Sequence, residues 1–275
     1  MLRQVPPYCL YLLGWLLLVG CYEERVGCLD PDANNYSLGA DEACPACCTY
    51  PSFSIRLTTV WEDGALTPGT RYADGTGDTF QLVDFRYYLG DLRLVSSVTE
   101  LGEPQRPVDL QEQVNSEVRD VTLNGNYLLA GSSRSSSAVG SVRLGTDALT
   151  GLAGTYGLPE RYRNVLPRSA PTGDALRTQP RQLNYLDGRG YVQARLEYTL
   201  PPETDTLSVS TFASAPFALS FPDGVVPLRG ADVLVDVEAD LHALIGELDL
   251  SADSATIAGE LTQPVDFLRA TGITF

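Results

Sequence analysis

The chain has no lysine, and its one methionine and the first of its two tryptophans fall within residues 1–20. Beyond them stand a single tryptophan, Trp61, and a single histidine, His242. Without an amine side chain there is no Schiff-base nucleophile, and one imidazole cannot build a His-rich metal cage. A Ser-His-Asp triad would have to run through His242, and no Gly-x-Ser-x-Gly elbow presents a serine. Carboxylates are plentiful enough to leave paired-carboxylate glycosidase chemistry open, yet no Asp/Glu pair stands apart from an acidic surface. The chain reads as a non-enzyme. Positive charge is scarce as well, 19 arginines against 35 acidic residues for a net charge of −16. Such a surface repels phosphate backbones and anionic lipid, which excludes nucleic acid as a partner and a basic patch as a membrane attachment.

What is present begins at the N-terminus. Arg3 is followed by an apolar run from Tyr8 to Val19 and then Gly20-Cys21. This is the pattern of a secretory signal (1–20) with a lipobox, predicting cleavage before Cys21 and a lipid on its thiol. The competing transmembrane helix is too short, since a bilayer core of about 30 Å needs about 20 residues. The expected protein is exported and membrane-anchored, in the periplasm or at the cell surface and most simply at the outer membrane. A module rich in Cys, Pro, Asn and Asp follows at 21–51, then a domain at 52–275.

Short apolar runs dominate that domain. Phe53, Ile55, Leu57 and Thr59 alternate with polar neighbours, and Phe80–Val95 is the strongest stretch. Further strands are predicted at 125–130, 138–144, 190–200, 206–212, 217–221 and 231–237. Turns are predicted at 62–64, 74–78, 124–126, 187–188 and 222–224. A short helix fits 239–245, stopped by Gly246. The fold class is therefore all-β, an antiparallel β-sandwich with a small disulfide-rich N-terminal module. Gly75-Thr-Gly77 lacks the lysine and helix of a phosphate loop and reads as a hairpin turn.

In the module, Cys28, Cys44, Cys47 and Cys48 most economically form two disulfides outside the cytoplasm. A bridge between adjacent Cys47 and Cys48 would be strained, which favours Cys28 bonding to Cys47 or Cys48. A four-thiolate zinc site and a Cys44-Pro-Ala-Cys47 redox pair are the competing uses of the same sulfurs. Asp30, Asp32 and Asn34 offer hard oxygen ligands for calcium, or equally make local turns around Pro31. The run Gly27-Cys-Leu-Asp-Pro-Asp-Ala-Asn-Asn-Tyr36 is similar to a short motif near the N-terminus of many exported bacterial proteins, and reads as a spacer between lipid and domain.

Three stretches of the domain resemble the MbnP-like family. Phe80-Gln-Leu-Val-Asp-Phe-Arg-Tyr-Tyr-Leu-Gly-Asp-Leu-Arg-Leu94 is similar to its Phe-Arg-Tyr-Tyr-Leu-Ser-Asn-Ile-Arg-Leu strand. Leu183–Glu197 is similar to its Met-x-Trp-x-Trp-x-x-Gly-Tyr segment, and Val233–Leu241 to its last strand running into a short helix. The resemblance implies an exported β-sandwich that binds copper, in some members through an oxidised tryptophan, with a di-haem peroxidase as partner. At the second motif this chain departs from the family. Leu183 stands at the methionine position, with Tyr185 and Asp187 at the tryptophan positions, whereas Gly190, Tyr191 and Glu197 remain as fold residues. Cu(I) selects thioether, thiolate and imidazole donors, so His242 and Trp61 are the copper candidates left. The expected function is a lipid-anchored binding protein of the MbnP-like type, possessing copper competence only through those two residues. The alternative is a cell-envelope module that binds glycan or protein without metal.

Overall fold

A computed structural model of the chain describes residues 22–275 except 68, 99–102, 133–135, 178–183, 187 and 263–265. The predicted signal segment (1–20), the lipidation candidate Cys21, and Leu183 and Asp187 of the second motif lie outside the described residues. The main strands of the first half are β1 (Ser52–Trp61), β2 (Thr79–Ser96), β3 (Pro107–Val114), β4 (Glu117–Asn124), β5 (Leu128–Gly131), β6 (Ser136–Ser141) and β7 (Leu149–Tyr156). The second half adds β8 (Ala194–Thr199), β9 (Leu207–Thr211), β10 (Ala215–Val225) and β11 (Val233–Asp240). Helices α1 (Leu241–Ile245) and α2 (Ser254–Glu260) then precede β12 (Leu268–Thr274).

One sheet runs β6-β1-β11-β12 and the other β9-β8-β2-β7-β10. Their pairings are antiparallel except for β1 and β11, which run parallel from Phe53 beside Val233 to Val60 beside Asp240. The sandwich core lies between the sheets, where Phe53, Ile55 and Val237 of one meet Phe85, Tyr87, Leu152 and Leu196 of the other. Burying each such side chain contributes about 1.5–3 kcal/mol. The expected alternation in β1 stops at Leu57: Thr59 is half-buried and Val60 turns inward in its place.

Two bulges shape β2. Its pairing slips between Leu82 and Asp84 against β8, and between Gly90 and Arg93 against β7, where Asp91 has φ +49°. Each extra residue reverses which parity faces inward. Phe80 and Leu82, then Phe85, Tyr87 and Leu89, then Leu92 and Leu94 therefore all reach one core. Tyr88 faces the opposite way, into a second cluster with Val108, Leu110, Tyr127, Tyr162 and Tyr191.

That second cluster is roofed by a cap that the sequence pattern misses, the β3–β4 hairpin and the segment around residues 158–177. Asn115 and Ser116 both take positive φ at the hairpin tip, a two-residue turn of the primed kind. The predicted turn at 222–224 is also corrected. Pro222-Asp-Gly224 lies inside β10 as a bulge opposite Leu149–Gly151, and the missing Pro222 donor costs nothing there.

In the N-terminal module, Val26–Gly27 pairs with Glu42–Ala43, and Cys28 bonds to Cys48. Cys44 and Cys47 are thiols, so two disulfides are not both closed, and the bonded pair removes the four-thiolate zinc alternative. The segment read as a spacer is seated on the sandwich. Buried Asp32 accepts from Arg229 Nε at 2.5 Å and from Arg143 Nε at 3.3 Å, while Asp30 pairs with Arg143 at 3.0 Å. Backbone contact is equally close: a Cβ at Gly230, whose φ is +73°, would stand 3.0 Å from the Ala33 carbonyl.

Candidate functional site

Trp61 closes β1, and Glu62-Asp63 turns the chain so that Gly64–Ala65 pairs back onto Val60–Trp61. Glu62 sits at φ +55° to make this tight reversal. In the parallel neighbour, β11 ends at Asp240 beside Val60 and passes directly into α1. The Asp240 carboxylate caps α1 by accepting from His242 N at 3.0 Å. The same Oδ1 accepts from Glu62 N at 2.9 Å. One carboxylate thus ties the hairpin turn to the helix start and brings together Glu62 and His242, 180 positions apart.

The rings meet there. The His242 imidazole stands edge-on to Trp61, with centroids 5.4 Å apart and planes at 77°. Tyr72 lies against another side of the indole at 4.2 Å, and Phe80 backs it at 5.6 Å. His242 Nε2 is 3.5 Å from Glu62 Oε1, and both side chains remain partly open to solvent. Beneath the imidazole is Gly246, where a Cβ would come within 2.6 Å of His242 Cδ2. The glycine that stops α1 therefore also makes room for the ring.

As a donor set this is one imidazole nitrogen, one carboxylate and an indole face. Cu(I) in a closed centre takes several soft donors, and no sulfur lies in this cluster. Among the described residues no group of three or more His, Cys, Asp or Glu side chains is placed to hold a metal ion. The arrangement fits an exchangeable soft cation, held by the imidazole and the ring face, and does not fit a resident copper centre.

The other predicted site residues go elsewhere. The calcium candidates have protein partners: Asp30 and Asp32 bind Arg143 and Arg229, Tyr50 donates to Asp30 at 2.8 Å, and Asn34 Oδ1 accepts from Thr49. The Asp30 carboxyl is held below its ordinary value, first by the Asp32 backbone N–H, against the upward push of burial. A cation there would have to displace two guanidinium groups, so these oxygens serve as the lock between module and sandwich. Tyr185 and Tyr191 of the second motif meet edge to face at 5.2 Å in the cap cluster, away from the Trp61 rings in the sandwich cluster. Arg86, inside the first motif, bonds Asp84 on its own strand. Its cross-strand neighbour is Arg195, itself bonded to Glu197. Gly75-Thr-Gly77 is a turn, as predicted, with buried Asp74 accepting from Thr76, Asp78 and Leu250.

Sequence reasoning missed a cleft of about 210 Å³ beside the cap, where Arg189 lies over Phe212 at 3.9 Å with Tyr191 and Arg163 alongside. The signal for it was faint, since Arg189 sits between two glycines in a turn and Phe212 just beyond a strand. It missed Asp240 too, although an Asp two residues before His242 at a strand-to-helix junction is a legible cap.

No family model matches the chain, and no curated protein matches its sequence. Among solved structures it is similar to MbnP from Methylosinus trichosporium, at 15% identity over 74% of this chain and 80% of that one, with a TM-score of 0.43. A likeness of that degree assigns no activity.

Proposed function

We propose that this chain is an exported, lipid-anchored binding protein of the MbnP-like type, non-catalytic, which takes a soft monovalent cation such as Cu(I) as exchangeable cargo at Trp61 and His242. The observation that carries the reading is that the fold brings the only histidine to the one tryptophan beyond the signal, with centroids 5.4 Å apart. Asp240 ties His242 to Glu62, the residue after Trp61, and Gly246 clears space for the imidazole. The anchor is the lipid on Cys21, since the acidic surface offers no electrostatic hold on a membrane. Metal analysis of the membrane-isolated protein tests it. Copper is expected in substoichiometric amounts that a Cu(I) chelator removes, and Cys21→Ala is expected to release the chain from the membrane. Copper held in full stoichiometry against the chelator would contradict the exchangeable reading, and its complete absence under copper-replete growth would contradict binding.

A second reading rests on the Arg189–Phe212 cleft. Arg189 there has a ring beneath it and, among the described residues, no carboxylate partner. Such a cleft suits a glycan or protein segment carrying a carboxylate, and its test is retention on acidic glycan that Arg189→Ala abolishes.

A further inference from the structure

The four described cysteines of the N-terminal module are in two states. Cys28 is buried and bonded to Cys48 across 20 residues of chain. Cys44 is half-buried and Cys47 exposed, both as thiols. Pro45 opens a single 3-10 turn between them, closed by Cys47 N donating to the Cys44 carbonyl at 3.1 Å. Residues closing such a turn have Cα atoms within about 7 Å, and a disulfide needs roughly 4.4–6.8 Å. The Cys47 thiol also donates to that carbonyl at 2.9 Å, and it meets the Cys44 thiol in a hydrogen bond that pushes it above its ordinary pKa. The two thiols therefore face each other across a ring of four residues.

We propose that Cys44 and Cys47 are a reversible redox pair, which closes a second disulfide by exchange with the disulfide of an exported thiol oxidant. Exposed Cys47 loses its proton to solvent and attacks one sulfur of the oxidant, whose released thiolate takes up a proton. Cys44, deprotonated in turn, attacks Cys47 Sγ, forms the internal S–S bond and expels the second oxidant thiolate. The module gives up two electrons and two protons, and the oxidant leaves as a dithiol. Both states share one fold. A four-residue ring restricts the unfolded chain little, whereas the Cys28–Cys48 bridge spans far more. Backbone bonds also hold the module without the second bridge, among them Cys44 N to Gly27 O and Ser37 N to Cys28 O, each 2.8 Å. The lone bridge in the core of the module is structural; the surface pair is the one that exchanges.

The inference rests on the exported reading of the chain, so its test has two arms. In the first, the full chain isolated from membranes is trapped with maleimide and mapped by mass spectrometry. Cys44 and Cys47 are expected unlabelled, and to open at about tenfold less reductant than Cys28–Cys48. In the second, purified reduced chain is mixed with glutathione disulfide, where closure of Cys44–Cys47 does not depend on export. Closure in vitro with labelled thiols in the cell would fault the compartment and leave the pair standing. Failure to close in vitro, a soft metal retained on both thiols in place of closure, or all four sulfurs opening together would overturn the pair. Cys44→Ser combined with Cys47→Ser is expected to leave Tm within about 2 °C of the parent; loss of folding would instead make the pair structural.

Discussion

The cap cluster and the Trp61 cluster are both built on aromatic rings, but they differ in where their polar atoms go. In the cap, Tyr88 donates to the Ala175 carbonyl at 2.8 Å, Tyr127 to Asp174 at 2.9 Å and Tyr191 to Leu176 at 3.3 Å, while Tyr162 reaches the Asn124 carbonyl. Burial and the Asp174 charge push the Tyr127 hydroxyl up, which favours its role as a donor to Asp174. These hydroxyls fix segments that have little regular structure of their own. At Trp61, by contrast, the imidazole and the Glu62 carboxylate point outward and bond to little else. The cap is held together by its polar atoms, and the Trp61 end leaves its polar atoms partly open to solvent.

Substitutions at the two ends should therefore separate stability from binding. The largest stability effect is expected at buried Asp174, which holds Arg106 at 2.6 Å, Tyr127, and the Leu176 N–H. Asp174→Ala is expected to cost about 3 kcal/mol, reduced from a fully buried pair because Arg106 is one-third exposed, read as the urea midpoint. Its binding of Cu(I) at Trp61 should be unchanged. Next, Tyr127→Phe leaves Asp174 short of a donor and should cost about 1–2 kcal/mol. Tyr156→Phe, by comparison, removes a buried hydroxyl that has no partner among the described residues and should be neutral or slightly stabilising.

Gly246→Ala sharpens the comparison from the other side. The added methyl meets the His242 ring and carbonyl within 2.7 Å, so an overpacking cost of about 1 kcal/mol should come with weakened Cu(I) binding. The smallest effect is on the acid arm. Burial alone would raise the Asp74 carboxyl, but the Thr76 hydroxyl and the N–H groups of Leu250, Thr76 and Asp78 together hold it below its ordinary 3.8. A depressed folded value means that this stabilisation is present above pH 3.8 and lost as pH falls through the folded value. Asp74→Asn should flatten that part of the pH-stability curve, with little change at neutral pH in the slope.

The sandwich was legible because its signals are local: alternation in β1, the long apolar run of β2, and Gly246 ending a helix that begins one residue after a strand. Trp61 beside a turn was legible for the same reason. The rest depends on pairings that no local pattern carries. The β3–β4 hairpin shows few apolar residues because one face is solvated and only the other covers the second cluster, and its Asn115-Ser116 tip lacks the glycine that marks most such turns. Helix α2 is seven residues long, with its Asp253 cap as the one readable cue. The parallel β1–β11 pairing joins chain ends 180 residues apart, and only that pairing sets His242 beside Trp61. Asp32 likewise reads as a metal ligand or turn residue until Arg143 and Arg229 are placed beside it.

With a single tryptophan beyond residue 20, indole emission of a chain lacking residues 1–20 reports this one cluster directly. The account predicts that Cu(I) titrated under anaerobic conditions quenches Trp61 fluorescence saturably at one equivalent, and that His242→Ala abolishes the quench while leaving the urea midpoint within about 0.5 kcal/mol of the parent. No saturable quench in the parent, or the same quench in His242→Ala, would contradict it.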